Sequence, residues 1–299
     1  MTALRRLYAG TLRAYGEFRR DGGVVLSAAL AYYLLFAMAP GLVFLVVLLV
    51  TVRGQSGVAK GAFVGLAEVL GPDLTAALLT VVGTAAQAQA GAVVGAVGFV
   101  VLMWAGILLF IQLQDVLNRM WCVRVVEGGK GRGLMRARLG QALVLLVPVG
   151  LMAVQSVASA LIATASVLPA LGWLGGAVQF LGSPFALMLG AWFALFMVFL
   201  FLPDVFVPRA PALVAGAVAA VGWTLGTYLF GLYLSSQDVV AGYGAAGALF
   251  VLILWLNYSA RLVLLCCRAM KLWAEKHDGV RPRPYAALVR VSVEGVDGG

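Results

Sequence analysis

Val24 to Val52 read VVLSAALAYYLLFAMAPGLVFLVVLLVTV, an unbroken run that contains no Asp, Glu, Lys, Arg or His. A helix needs about 20 apolar residues to cross the roughly 30 Å hydrocarbon layer of a membrane, and core helices of soluble proteins seldom stay apolar for so long. The run is also longer than the apolar part of a cleavable signal peptide, and no small-residue cleavage site ends it. The stretch therefore predicts a retained first transmembrane helix.

Composition extends this prediction to the whole chain. Hydrophobic residues make up 63% and charged residues 11% of the 299 positions, which is typical of a membrane protein. Segment 57–89, with Lys60, Glu68, Asp73 and a Gly71-Pro72 break, predicts two short interfacial or re-entrant helices. The sequence predicts an all-α integral membrane protein with six transmembrane helices, at residues 24–52, 90–111, 139–168, 180–202, 211–234 and 243–267.

The distribution of basic residues predicts the orientation of the chain. They concentrate in the amino-terminal arm, the connections after the second and fourth spans and the tail, whereas the alternate connections hold only Arg53 and Lys60. Positively charged connections stay preferentially in the cytoplasm, so both termini are predicted to be cytoplasmic. The predicted organisation is a basic amphipathic arm (1–23), a six-span membrane domain (24–267) and a basic tail (268–299). The end of the tail is expected to be disordered from Val280 onward, because it contains Pro282, Pro284 and a Gly-rich terminus.

The net charge of +9 is explained by the membrane surface. Each basic residue beside a cytoplasmic leaflet is attracted to anionic headgroups by about 1 kcal/mol. We therefore expect membrane lipids as partners, with an anionic lipid or lipid precursor as the candidate ligand, and no nucleic acid.

Polar residues follow the second span on a continuing helix. Gln112, Asp115 and Arg119 are spaced three and four apart, so they share one face, and Asp115 can pair with Arg119. We expect this stripe to turn inward at the cytoplasmic interface. Two interpretations stay open: a helix end whose polar groups satisfy one another, or a cytoplasmic gate or headgroup site.

Other residues interrupt the apolar pattern of the later spans. Arg261 lies midway along the sixth span, where a charge costs at least about 2.5 kcal/mol, so it either snorkels or lines a polar interior. Asp204 lies in a short connection stiffened by prolines and is expected to be a turn or cap residue with a salt bridge to a basic loop. Gly222 and Gly226 allow close helix packing, within or between chains. Segment Gly242 to Gly247 predicts an extended, partly unwound entrance or a plain loop.

Short motifs stand in order over about residues 15 to 275. They are Ala28-Ala29-Leu30-Ala31-Tyr32-Tyr33, Gln112-Leu113-Gln114-Asp115 with Asn118 and Trp121, Pro203-Asp204 with Val207-Pro208, Tyr243-Gly244 with Gly247, and Trp255 with Tyr258-Ser259-Ala260. Together they resemble the YihY/BrkB family of bacterial inner-membrane proteins. The resemblance implies a six-helix, multi-pass protein of the bacterial inner membrane. It also implies a link to lipids, since some members are associated with export or handling of lipid A precursors and other lipids.

Two positions depart from the pattern of that family. Arg261 stands where relatives often have an amide, and Cys267-Arg268 stands where they often have Ala-Glu. Both changes add positive charge. A cavity at this face would therefore favour an anionic ligand, whereas a face in the headgroup layer would be anchored more strongly.

The leading hypothesis is a transporter or flippase of a lipid or other anionic amphiphile. The sequence has no GxxxxGK[ST] loop for ATP, and Asp115 is the carboxylate near a span that could couple transport to protons. The candidate residues for a cavity or headgroup site are Gln112, Asp115, Asn118, Arg119, Trp121, Asp204, Tyr243, Tyr258 and Arg261.

The alternative hypothesis is a membrane scaffold whose basic loops and tail bind partner proteins or lipids. The older ribonuclease BN label of the family, now regarded as mistaken, finds no support because the acidic residues are scattered singly. Three cysteines and the lone His277 offer no metal-ligand set, so we expect neither a metal nor a cofactor. Substrate, energy coupling and homo-oligomerisation are left open.

Overall fold

The computed structural model of the protein describes residues 3–51, 91–126, 132–163, 174–235, 238–277 and 279–288. Within these ranges the chain is an all-α membrane protein, as predicted. The two short helices predicted at 57–89 lie outside the described residues. The helices are α1 (Ala3–Arg20), α2 (Gly23–Thr51), α3 (Gly91–Met120), α4 (Arg132–Ala163), α5 (Leu174–Leu181), α6 (Pro184–Phe201), α7 (Arg209–Ser235) and α8 (Asp238–His277).

Four helices of the described part are long and apolar enough to cross a membrane. They contain the candidate spans Ala96–Met120 of α3, Pro184–Phe201 of α6, Arg209–Leu232 of α7 and Leu249–Lys276 of α8. The pair of α1 and α2, bent by 71°, would make a fifth span if it crosses as one. Gly22 lies in the bend with a φ of +72°, a conformation that glycine adopts without a steric penalty. The total of six spans stays a prediction.

Helix α8 begins earlier than predicted. Segment Gly242 to Gly247, expected to be extended, partly unwound or a loop, lies inside this helix of 40 residues, so that expectation was wrong. A continuous helix satisfies its backbone groups internally, which is the cheaper arrangement wherever water is scarce. At 1.5 Å per residue α8 is about 60 Å long and extends well beyond the hydrocarbon layer.

Two helix pairs are joined by α8, and α4 packs on α6 of the second pair. Helix α2 packs on α3, α6 packs on α7, and α8 contacts both α2 and α7. The glycine pair of α7 makes one of these contacts, since a Cβ at Gly222 would lie 2.9 Å from Leu262 Cδ1 and one at Gly226 would strike the ring of Tyr258. Tyr258 Oη also donates a hydrogen bond to the Gly222 carbonyl at 2.8 Å. The close packing predicted for this pair therefore occurs within one chain.

We expect Gly226→Ala to destabilise the protein by about 1–3 kcal/mol, because the added methyl overpacks the contact with Tyr258. The matched control is Gly231→Ala, further along the same helix, where an added Cβ meets nothing within 4 Å. That change should be neutral or stabilise the helix by up to about 1 kcal/mol. Thermal unfolding in detergent compares the two. Equal midpoints for both variants would contradict the assigned packing of α7 on α8.

The largest fully buried side chains gather at one end of the bundle, which we call the polar end. Trp121, Phe199, Leu117, Met120 and Leu202 are among them. This end holds α1, the carboxyl ends of α3 and α6, the loop around Asp204, and four short strands. The strands are β1 (Val123–Val125), β2 (Val205–Phe206), β3 (Arg281–Pro282) and β4 (Ala286–Leu288).

The tail completes the polar end. Strand β4 pairs antiparallel with β1, and β3 pairs antiparallel with β2. The predicted disorder from Val280 onward is therefore wrong for the described residues up to Leu288. Without the tail, β1 and β2 would leave unpaired backbone groups at the ends of α3 and α6, and the tail strands satisfy them.

Candidate functional site

A fully buried carboxylate, Asp204, organises the polar end. Its Oδ2 accepts hydrogen bonds from Asn118 Nδ2 at 2.7 Å and from Arg138 Nη2 at 2.9 Å. Its Oδ1 accepts from Tyr285 Oη at 3.3 Å and from Gln114 Nε2 at 3.4 Å. The backbone N–H of Asp204 donates to Asn118 Oδ1 at 2.8 Å. The predicted salt bridge of Asp204 to a basic loop is thus present, through Arg138, but the residue is a buried acceptor and more than a turn or cap.

Two glutamines extend this cluster to the end of α6. Gln114 Nε2 donates to Gln141 Oε1 at 2.8 Å and to the Leu202 carbonyl at 2.9 Å. Gln141 Nε2 donates to the Phe201 carbonyl at 3.0 Å. The last carbonyls of a helix have no partner within the helix, so the glutamines supply donors that α6 would otherwise lack. We call the set of Gln114, Asn118, Arg138, Gln141, Asp204 and Tyr285 the Asp204 cluster.

The Asp204 cluster connects parts of the chain that are far apart in sequence. Its side chains come from α3, α4, the loop after α6 and the tail. Burial, together with the nearby negative charge of Asp204, raises the pKa of Tyr285 above its ordinary value of 10.0. Tyr285 is therefore protonated at neutral pH and can donate to the carboxylate. A buried charge is costly unless hydrogen-bond donors surround it, and the side chains of the cluster provide such donors to the Asp204 carboxylate.

A second charged group joins α1 to α8. The guanidinium of Arg268 is almost fully buried and lies 3.0 Å from Glu17 Oε2 and 2.8 Å from Asp21 Oδ2. It also donates to the Met120 carbonyl at 2.7 Å, at the end of α3. Arg268 is thus matched by two carboxylates of the α1–α2 corner. We call these contacts the Arg268 clamp.

The Arg268 clamp should weaken in acid. Burial raises the pKa of Glu17, but the hydrogen bond from Arg13 and the charge of Arg268 lower it more, and the net pKa lies below 4.5. A carboxylate whose pKa is depressed by folding stabilises the protein above its unfolded pKa and loses that contribution as the pH falls through the folded value. We expect unfolding midpoints between about pH 5 and pH 3 to fall more steeply for the natural protein than for Glu17→Gln. Parallel pH profiles would show that Glu17 adds nothing to the clamp.

The predicted stripe on α3 has a different orientation. Asp115 and Arg119 form the expected pair, at 3.1 Å, but their side chains are 53% and 56% exposed, so the predicted inward turn was wrong. Gln114 and Asn118 face inward instead. The apolar stripe that includes Val116 decides the buried face of α3, and these two residues flank it.

The remaining predicted residues lie apart from one another. Trp121 is buried in the core of the polar end, and Tyr258 bonds to α7. Gln112 is half-buried on α3, and Arg261 is exposed on α8. Arg261 therefore does not line a polar interior. The side chain of Tyr243 lies outside the described residues.

An apolar cavity of about 280 Å³ lies between the two helix pairs, against α8. Leu34 of α2, Leu113 of α3, Val198 of α6 and Trp223 of α7 are among its lining residues, and every other lining side chain except Ser259 is aliphatic. Among the predicted site residues whose side chains the structure describes, none lines this cavity. Sequence reasoning missed it because mostly alanines and leucines form it, and such residues occur all along these helices.

Arg261 faces away from this cavity. Ala260, Leu262 and Val263 of the same helix line it. At about 100° per residue, Arg261 falls on the opposite face of α8. The sequence suggested one opening lined by both Arg261 and the polar stripe of α3. In the structure, neither of them lines the cavity.

The four long apolar helices of the described residues define a multi-pass helical membrane protein. The chain matches the family model described as "Virulence factor BrkB" over residues 14–286, and it belongs to this family. The resemblance to YihY/BrkB proteins is confirmed. The chain is similar to a UPF0761 membrane protein of Alcanivorax borkumensis, at 28% identity over 282 residues, which cover 92% of this chain and 63% of that relative. The chain thus spans less than two thirds of the length of this relative. No solved structure matches it.

Proposed function

We propose that this protein is a transporter or flippase of the bacterial inner membrane that moves an anionic amphiphile between leaflets. The observation that carries the proposal is the crevice between the pair α2–α3 and the pair α6–α7, with its cavity at membrane depth. Transporters that alternate access rock one bundle of helices against another around a site near the middle of the membrane. Two pairs joined by one long helix, α8, are suited to such a motion.

The Asp204 cluster supports the proposal because it closes one end of this crevice. It joins α3 of one pair to the loop between α6 and α7 of the other, through Asn118 and Asp204. Val116, Leu117 and Leu202, all fully buried, lie in the apolar core at this end. An amphiphile that entered the crevice from the membrane would meet a closed polar end, which in our proposal faces the cytoplasm.

Exposed basic residues supply the preference for an anionic amphiphile. Arg19, Arg20, Arg136 and Arg209 are exposed at the polar end. Basic residues near an anionic leaflet each contribute about 1 kcal/mol of attraction to headgroups. They would concentrate anionic amphiphiles at the side of the bundle where the cavity begins.

Reconstituted protein tests this proposal. Liposomes would carry an anionic phospholipid with a fluorophore on its headgroup, and dithionite would report how fast the outer label is replenished from the inner leaflet, with and without a proton gradient. We expect faster exchange than in protein-free liposomes. Ala194→Phe, which places a ring in the cavity, should slow it, whereas Leu189→Phe, at an exposed position of the same helix, should not. Exchange no faster than in protein-free liposomes under both conditions would contradict transport.

A membrane scaffold is the second candidate. The observation that favours it is the ordered polar end, where paired strands and exposed arginines present a fixed surface. Cross-linking in cells from position 124, exposed on β1, would capture one partner in stoichiometric amount if the protein is a scaffold. A transporter need not give such a product.

A further inference from the structure

The depth of the cavity is set by the helices that line it. Its contacts with α6 run from Ala191 to Val198, and α6 ends at Phe201. At 1.5 Å per residue the cavity begins about 5 Å from the polar end of α6 and extends about 10 Å further. One leaflet contributes half of the roughly 30 Å hydrocarbon layer. The candidate span of α6, Pro184–Phe201, is about 27 Å long and so matches the thickness of the hydrocarbon layer. This match places the cavity in the hydrocarbon of the leaflet at the polar end.

The chemistry of the cavity excludes a headgroup as its occupant. Its walls are aliphatic side chains, the ring of Trp223 and the single hydroxyl of Ser259. A charged or phosphate-bearing group would lose its hydration there without gaining partners. Water needs two to four polar partners to stay in a cavity, and these walls do not provide them. Only hydrocarbon suits both the walls and the depth.

The volume indicates how much hydrocarbon fits. An engineered cavity of 150 Å³ lined by Leu, Ile and Phe takes up one benzene. A cavity of about 280 Å³ holds roughly twice as much, on the order of a dozen carbons. That amount corresponds to most of one lipid chain, and two chains would not fit side by side.

We infer that this cavity binds one acyl chain of a glycerophospholipid from the leaflet at the polar end. The headgroup would remain outside, at the level of the exposed arginines of that end. The inference rests on the proposed function, since the bound acyl chain would belong to the transported amphiphile. The acyl chain is then the part of the amphiphile that the crevice holds. Binding is measured at equilibrium, so it can be present without transport.

Photo-crosslinking tests the inference directly. The full-length protein would be placed in nanodiscs with a phosphatidylglycerol that carries a diazirine in the middle of one acyl chain. Peptide mapping after illumination should find adducts on cavity residues, such as Leu195 and Val263, as well as on the exposed face of α3 at Val100 and Ile107. Adducts confined to the exposed face would overturn the inference.

Two comparisons separate the cavity from the surrounding lipid. Ala194→Phe should reduce the cavity adducts to background and leave those at Val100 and Ile107 unchanged, whereas Leu189→Phe should change neither. Persistent cavity adducts in Ala194→Phe would refute the assigned site. A second comparison uses the natural protein, to which dodecane is added as a competitor for the cavity. Dodecane should reduce the cavity adducts and leave those at Val100 and Ile107 unchanged. Cavity adducts that persist with dodecane present would also refute the assigned site. Cavity adducts without lipid exchange in liposomes would contradict the proposed function and leave the binding site in place.

Discussion

Replacing Asp204 by Ala should destabilise the protein by about 3–5 kcal/mol, the usual cost of removing one partner of a buried ion pair. Asp204 is fully buried and pairs with Arg138, whose side chain is 28% exposed. The change would leave that guanidinium and the amide of Asn118 without their acceptor, and would open a gap beside Tyr285. The free energy of unfolding, measured with denaturant in detergent and followed by tryptophan fluorescence, tests the prediction.

The matched control is Asp115→Ala. Asp115 also pairs with an arginine, but both side chains of that pair are more than half exposed. Exposed pairs contribute about 0–1 kcal/mol, so this variant should unfold almost like the natural protein. Asp204→Asn keeps the shape and part of the hydrogen bonding and should fall between the two. If the alanine variants of Asp115 and Asp204 were equally stable, the Asp204 cluster would not hold the polar end together.

Replacing Arg268 by Ala should release α1 from the rest of the protein. The guanidinium is the group that joins Glu17 and Asp21 to the end of α3, and its loss would leave both carboxylates at the α1–α2 corner without that cation. We expect a loss of about 3 kcal/mol or more, as for other buried ion pairs. Trypsin reports the release, because Arg19 and Arg20 are exposed on α1 and should be cleaved faster once the helix undocks.

Two variants calibrate this result. Arg268→Lys keeps the charge but lacks the planar fork that reaches two carboxylates and a carbonyl together, so it should protect α1 only in part. Arg13→Ala removes the exposed partner of Glu17 and should leave cleavage at Arg20 nearly unchanged. Unaltered cleavage in Arg268→Ala would show that packing of Phe18 and Ala14 suffices to dock α1.

Much of the fold could be predicted from the sequence, because apolar length and the order of the motifs are local properties. The sequence indicated the helix that continues through Gln112 to Met120, the pairing of Asp115 with Arg119, and a salt bridge at Asp204. It did not indicate which face of α3 is buried. Val100 and Ile107 are exposed in the structure although they are as apolar as core residues. Positions that face lipid and positions in the core both favour apolar side chains, so the sequence does not distinguish them.

The partners of Asp204 could not be predicted for a second reason. Gln114, Gln141 and Tyr285 lie on different elements, and nothing in their local sequence marks them as neighbours. Gln114 lies two positions after Gln112, and both have apolar neighbours in the sequence, so the sequence does not show which of the two glutamines is buried. The tail was expected to be disordered because Pro282, Pro284 and the glycines near the end disfavour regular structure. Its order comes from strands that are contributed by distant loops.

The pairing of the tail with β1 and β2 also sets the order in which the protein can be completed during synthesis. Domains fold from the amino terminus as the chain emerges from the ribosome. Asp204 is made before Arg283 and Tyr285, so the carboxylate lacks the Tyr285 donor until the tail strands have been synthesised. A product that ends before β3 would carry an incomplete polar end, with the edges of β1 and β2 exposed. Exposed strand edges can pair with other chains, so docking of the tail removes a site of aggregation from the polar end.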